Sequence, residues 1–299
     1  MLHGLLIAEN DPEDFRFLAE SLADGLVRDL DRELASPEAP VSLVWSMLWE
    51  GARLGRFGKE CPKLVRFRFA GREFSMRLDL AESPECGYLR RNPAPHITRL
   101  VANGGRTMLD IGANAGFHAL CASSTFSQVH AFEPVPATAT RLRCNVELSE
   151  ASDRVRVHEV ALSDRRGSVS MRVEPGHCGA NRIEASGAGA SIEVPMDTLD
   201  ALAERERLCD VDLVKIDVEG HERAVIAGGA ALLARDRPRI VVELGSIERY
   251  RAFRSLLPEG YEPFVPGRDG SMRTLERESD AARFRDLLFV HPRSASPRA

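Results

Sequence analysis

Acidic residues recur in this chain wherever a strand is expected to end. Asp110 opens the glycine-spaced turn of LDIGANAG (109–116), and Glu133-Pro134 close the apolar run QVHAF. Ser163-Asp164 follow VRVHEVAL. Asp217, Glu219 and His221 follow VDLVKI, and Glu243 closes RIVVE. One solvated loop carboxylate is ordinary, but a series of them, one at each strand end, is not. In an open α/β sheet the ligand lies outside the carboxyl ends of the strands, where the strand order reverses. The acids therefore mark one edge of such a sheet as the place for chemistry.

The ligand's charge can be read from the first turn. A dinucleotide fingerprint reads GxGxxG and sets a pyrophosphate on the following helix. Here the spacing from Gly112 to Gly116 is GxxxG, and Asp110 would face the pyrophosphate at a distance where like charges repel. S-adenosylmethionine carries a sulfonium and an ammonium and no phosphate, so it matches better. Glu133 lies 23 positions after Asp110, where an acid accepts hydrogen bonds from ribose hydroxyls. Asp164 is placed to take the adenine amino group, and a turn-forming role in SDRRG fits it equally well.

Methyl transfer from such a cofactor is an in-line displacement at carbon. A hydroxyl acceptor is a weak nucleophile and needs help in losing its proton. His221 is the candidate base, with an idle helix-start histidine as the alternative. Asp217 and Glu219 are two apart and share a face if the strand continues through them, and Glu243 ends the neighbouring strand. These carboxylates are further catalytic candidates: they could hold Mg²⁺, accept the acceptor's proton, bind the cofactor's ammonium or cap a helix N-terminus. Mg²⁺ is not favoured, and no residue is assigned to a metal. His177 and Asn181 lie in a glycine-rich loop that could cover the site, although an ordinary surface loop is the preferred reading. Arg90 and Arg91, with Arg249, Arg251 and Arg254, could meet an anionic acceptor or simply be solvated.

The elements that must position these groups follow from periodicity. Residues 11–56 carry Phe15, Leu18, Leu22 and Leu26 at helical spacing, with a break at SPEAP. KLVRFRFAGREFSMRLDL alternates around Ala70-Gly71 and reads as a β-hairpin. Residues 1–92 are therefore expected to form an α+β cap, and 93–299 the main domain. From Pro95 onward strand and helix alternate, with strands at 107–112, 128–134, 155–162, 211–218 and 239–244. Helices run to about 125 and 149 and over about 221–235, and last strands are expected at 261–266 and 286–292. This rhythm predicts a doubly wound, mostly parallel α/β sheet with helices on both faces.

The chain has 299 residues and a formal charge of −5, which argues against long nucleic acid as a partner. No run approaches a membrane span, and the N-terminus lacks the basic segment of a signal peptide. The six cysteines form no CxxC and no zinc spacing, as expected of reduced thiols in a cytoplasmic protein.

The order of MLDIGANAGFHAL, HAFEPVP, ALSDRRG, DTLD and DLVKIDVEGHERAVIAGGAALLARDRPRIVVEL resembles the FkbM-type S-adenosylmethionine-dependent methyltransferases. KIDVEGHE followed by a proline and VVEL is the most distinctive part. The resemblance covers about residues 95–292. It implies a Rossmann-like class I methyltransferase fold of seven strands with the last antiparallel. It also implies O-methylation of a sugar, glycolipid or polyketide-like natural product, a small-molecule or glycan acceptor. Carried over position by position, Asp110, Gly112, Asn114 and Glu133 would hold the cofactor and Asp217 would sit beside its methionine end, with Ala113, Gly116, Pro134, Ser163 and Asp164 completing the expected cofactor set. Residues 1–92 lie outside it and could be a lid, an acceptor cap or a homodimer surface. Two other functions stay open: an NAD-linked oxidoreductase, which Asp110 and the glycine spacing oppose, and a non-catalytic cofactor-binding module, which the intact acids oppose.

Overall fold

The computed structural model describes residues 62–79, 94–174, 178–183, 191–267 and 271–294. The chain divides into two compact units, 1–93 with 174–179, and 94–173 with 180–299. In the first unit, β1 (Pro62–Phe69) and β2 (Arg72–Asp79) form the hairpin that the alternation predicts. Its turn is Ala70-Gly71, both at positive φ (47° and 75°), the two-residue geometry that matches the strand twist. The predicted helices of residues 11–56 lie outside the described residues, as do Tyr88 to Pro93 with Arg90 and Arg91.

The second unit carries the α/β rhythm. α1 (Pro95–Ala102) leads into β3 (Gly105–Ile111), and α2 (Phe117–Ala122) leads to β4 (Phe126–Phe132). α3 (Pro136–Leu148) leads to β5 (Val155–His158). The chain returns through α4 (Leu199–Glu206) to β10 (Val211–Ile216). The short helices α5 (Glu222–Ala227) and α6 (Ala230–Asp236) then lead to β11 (Arg239–Glu243). α7 (Ile247–Arg254), β12 (Glu262–Pro266), β13 (Met272–Thr274) and β14 (Asp286–Val290) complete it. The main sheet has the order β13-β12-β14-β11-β10-β3-β4-β5. β5, β4, β3, β10 and β11 run parallel, and β14 is antiparallel to both β11 and β12. The order reverses between β3 and β10, so the crevice of an open sheet opens where LDIGANAG and KIDVEGHE end. The sheet has one strand more than the seven that the resemblance implies, because the short β13 extends the edge beyond β12. The central strands are buried along almost their whole length. Their apolar side chains pack with Val225, Leu233, Tyr250 and Phe253 of the helices into one core.

Two local expectations need correction. The third strand, expected over 155–162, divides: β5 stays in the main sheet, while β6 (Ala161–Ser163) joins a second sheet with the order β6-β9-β7-β8. That sheet is built from the excursion, with β7 at Gly167–Arg172, β8 at Arg182–Ile183 and β9 at Ser191–Thr198. Its own small core is Val135, Ala161, Met171 and Val194. The single helix expected over 221–235 is broken at Gly228-Gly229. A Cβ at Gly228 would lie 1.9 Å from the carbonyl oxygen of Ser163, so only glycine lets the end of β6 approach here.

Candidate functional site

The loop after β3 is shaped by the protein around it. Gly112 (φ 77°) and Gly116 (φ 96°) are left-handed, but the space beside them is already filled. A Cβ at Gly112 would lie 1.9 Å from the backbone oxygen of Asp217, and one at Gly116 would lie 2.2 Å from Leu142 Cδ1. The two glycines therefore allow β3 to pack against β10 and α3. The Gly112 and Ala113 amides both donate to the Phe132 carbonyl, which ties the turn to β4. Asn114 between them is also left-handed (φ 50°), which Asn tolerates better than most residues. Its side-chain oxygen accepts from the Ala115 amide.

Asp110 has a partner that the sequence reading did not assign. It is fully buried, and Lys215 Nζ donates to its Oδ1 at 3.0 Å. The same ammonium donates to the Gly112 carbonyl at 3.1 Å and lies 3.7 Å from Asp217 Oδ2. Burial disfavours the charged lysine, but Asp110 and Asp217 outweigh burial and hold its pKa above the ordinary value. Asp110 Oδ2 has no hydrogen-bond partner. The charge of Asp110 is thus compensated from within, by the lysine of KIDVEG.

Glu133 sits at the end of β4 with its backbone amide bonded to the His158 carbonyl. Its Oε2 accepts from the Asn114 amide at 3.1 Å and its Oε1 from the Val135 amide at 3.0 Å. Burial raises its pKa to about 7, against the pull of those two amides. Each oxygen keeps a lone pair for a further donor. Pro134 follows, half-buried.

β10 ends at Ile216, so residues 217–220 form a turn and not a strand. Glu219 is left-handed (φ 48°) and Gly220 follows at 101°, which removes the strand-based reason for Asp217 and Glu219 to share a face. The turn is held by Glu222, which sequence reasoning passed over. Its buried carboxylate accepts from the Gly220 amide at 2.9 Å and from Arg249 at 2.5 Å. Glu219 and Glu243 both have raised pKa values, first from burial and then from the charge of Asp217, although Arg285 pulls the other way in each. Glu243 Oε2 accepts from Arg285 Nε at 2.7 Å.

His221 caps α5, with its Nε2 2.9 Å from Ser163 Oγ. Ser163 Oγ in turn lies 3.3 Å from Asp164 Oδ1, and Asp164 is half-exposed beside Arg165. Burial lowers the His221 pKa, with Asp164 acting in the opposite sense. The structure thus brings His221 to Ser163 and Asp164 at the end of β6, while Asp217, Glu219 and Glu243 form a second group around β10 and β11.

Other expected residues have local roles. Arg249 bonds Glu222 and the Glu243 carbonyl, Arg251 pairs with Glu278, and Arg254 bonds the Tyr261 carbonyl. These arginines are engaged within the chain. Asn181 is described, whereas His177 lies outside the described residues. Among the described residues, no group of three or more His, Cys, Asp or Glu side chains is arranged to hold a metal ion. Cys121, Cys144, Cys178 and Cys209 are free, and Cys209 is exposed. No helix among the described residues is long and apolar enough to cross a membrane.

The sequence profile described as the methyltransferase FkbM domain matches residues 110–283, from Asp110 through the carboxyl-edge acids to the segment before β14. The chain is 32% identical over 186 residues to the 2-O-methyltransferase NoeI of Sinorhizobium fredii, covering 54% of this chain and 75% of that protein. It is 36% identical over 119 residues to the hexuronic acid methyltransferase AglP of Haloferax volcanii, covering 40% of this chain. That match spans 48% of AglP, about half its length. Among solved structures, methyltransferase FkbM from Methylobacillus flagellatus aligns with TM-score 0.40 and 15% identity, over 63% of this chain and 44% of that one.

Proposed function

We propose, since this chain belongs to the FkbM family of methyltransferases, that it moves the methyl group of S-adenosylmethionine to a hydroxyl of a sugar or sugar-bearing acceptor. The observation that carries the cofactor half is Glu133. A carboxylate at the end of β4, anchored by the amides of Asn114 and Val135, has acceptor capacity left for the ribose hydroxyls. In this reading Asn114, Ala113 and Pro134 line the ribose side. Asp110 with Lys215 fixes the loop between Gly112 and Gly116 and the charge near the methionine end. Asp217 faces the cofactor's ammonium, and Ser163 and Asp164 meet the adenine. The pairing of His221 with Ser163 supports a positioning role on the adenine side. Glu219 and Glu243 are assigned to the acceptor side.

The sugar acceptor is supported by the two relatives, one a 2-O-methyltransferase and one a hexuronic acid methyltransferase. The cofactor supplies an electrophilic methyl on a sulfonium. What the chain supplies is alignment and a place for the acceptor's proton. Free thiols support a reducing, cytoplasmic setting. A homodimer through the apolar stripe of residues 15–26 belongs to the same proposal.

Calorimetry with S-adenosylhomocysteine tests the cofactor half. Glu133→Ala is expected to abolish binding while the fold survives; unchanged binding would overturn the assignment. A thermal-shift comparison with NAD separates the oxidoreductase reading, because only S-adenosylhomocysteine is expected to stabilise the protein.

A further inference from the structure

His96 and Asp286 form a histidine–carboxylate pair that the site residues so far do not include. His96 Nε2 lies 2.9 Å from Asp286 Oδ2, across 190 positions of sequence. The side chains are 16% and 14% exposed, shielded from bulk water yet still reachable. A carboxylate at Nε2 favours the tautomer with its proton there and leaves the Nδ1 lone pair free to act as a base.

The position of the pair follows from strand register. Asp286 opens β14 directly opposite Glu243 at the end of β11. Val242 of β11 sits beside Ile216 of β10, immediately before Asp217. With strands about 4.8 Å apart, Asp286 stands within about 10 Å of the end of β10. His96 lies in the first turn of α1, which packs against α2, the helix that follows Gly116. The charged and titratable groups around the pair are Lys215 and Asp217 at β10, Glu243 at β11, Arg285 beside Asp286, and buried His118 on α2. Lys215 interacts electrostatically with Asp286, and His118 with both Lys215 and His96. The pair therefore borders the cluster assigned to the cofactor's methionine end. His221, by contrast, lies against Ser163 at the end of β6.

We infer that His96 is the general base of the methyl transfer and that Asp286 is its positioning residue. The inference rests on the reading of this chain as an O-methyltransferase. The acceptor's O–H proton passes to His96 Nδ1 as the oxygen bonds to the methyl carbon. The carbon–sulfur bond breaks with its electron pair on sulfur, leaving neutral S-adenosylhomocysteine and a methyl ether. Asp286 stabilises the imidazolium, which then gives its proton to water. Removal of a general base costs about 10²–10⁴-fold in rate.

The test uses the full chain, S-adenosylmethionine labelled in its methyl group, and a panel of glucuronic acid, galacturonic acid and glucose. His96→Ala is expected to lower kcat by about 10²–10⁴-fold while S-adenosylhomocysteine affinity and melting temperature hold. Added imidazole is expected to restore part of the rate, which a lost structural tie would not permit. Asp286→Asn is expected to lower kcat while S-adenosylhomocysteine affinity holds, and Asp286→Glu is expected to recover part of the rate. Near-wild-type kcat in His96→Ala would overturn the assignment, as would a loss that imidazole cannot rescue and that brings weaker S-adenosylhomocysteine binding. If the wild-type chain binds S-adenosylhomocysteine but methylates none of the sugars, the acceptor reading fails, and the base falls with it.

Discussion

Asp110 is the residue whose meaning the structure changes most. Read from sequence, it was an acid awaiting a cationic ligand; in the fold it is an acid already paired with Lys215. The lysine was in plain view within KIDVEG, but the register that sets Lys215 beside Asp110 belongs to β3–β10 pairing, which sequence does not print. Breaking a buried ion pair costs more than replacing both partners. Lys215→Met and Asp110→Asn are each expected to cost about 3–5 kcal/mol in urea unfolding, and the double variant less than the sum. Strict additivity would show that the two charges do not act as a pair. Glu133 gives a prediction in pH. Its pKa of about 7 favours the neutral acid at mildly acidic pH, whereas ribose hydroxyl donors favour the carboxylate. Binding of S-adenosylhomocysteine should therefore release a proton below about pH 7 and tighten as pH rises through it. Calorimetry in two buffers of different ionisation enthalpy measures this, and Glu133→Gln should abolish the proton release. A wild-type enthalpy independent of buffer would contradict it.

At the scale of elements, strand positions were legible because buried parallel strands write continuous apolar runs. Turn chemistry was legible in part. The hairpin turn at Ala70-Gly71 follows directly from its alternating flanks. The glycines of LDIGANAG are legible as a turn, but sequence cannot show that Asp217 and Leu142 fill the space beside them. Gly112→Ala is accordingly expected to cost at least about 1–3 kcal/mol and to remove S-adenosylhomocysteine binding. Gly220→Ala, at positive φ but with open space around it, should bind and fold closer to wild type. Equal effects from both, by urea unfolding and calorimetry, would contradict the packing argument. The division of β5 from β6 and the break between α5 and α6 meet in the fold, where Ser163 closely approaches Gly228. Neither has a local signal beyond the paired glycines. Glu219 was placed by strand periodicity one turn beyond the strand's true end, where period two no longer applies.

For the whole molecule, the order β5-β4-β3-β10-β11-β14-β12 explains why residues far apart in sequence share one edge, and why the acids could be collected before the fold was known. The same sheet carries opposing pH dependences. His130 and His158 touch at 2.9 Å between β4 and β5, and burial lowers both pKa values to about 4. Depressed histidines contribute stability above about pH 6.5 that is lost as pH falls toward 4. Glu133, with its raised pKa, acts in the opposite sense between about pH 4.5 and 7. Urea unfolding at pH 5 and pH 7 should show less loss on acidification in a His130→Gln/His158→Gln variant than in wild type. The same loss in both would remove the pair from the pH response. The central claim, methyl transfer to a sugar hydroxyl, is tested most directly by the product. The full chain is incubated with S-adenosylmethionine isotopically labelled in its methyl group and with glucuronic acid, and the mixture is examined by NMR. The account predicts a labelled methyl ether on the sugar with an equal amount of S-adenosylhomocysteine. A label that never reaches a sugar oxygen, from a protein that binds S-adenosylhomocysteine and is offered each pyranoside of the panel, would contradict it.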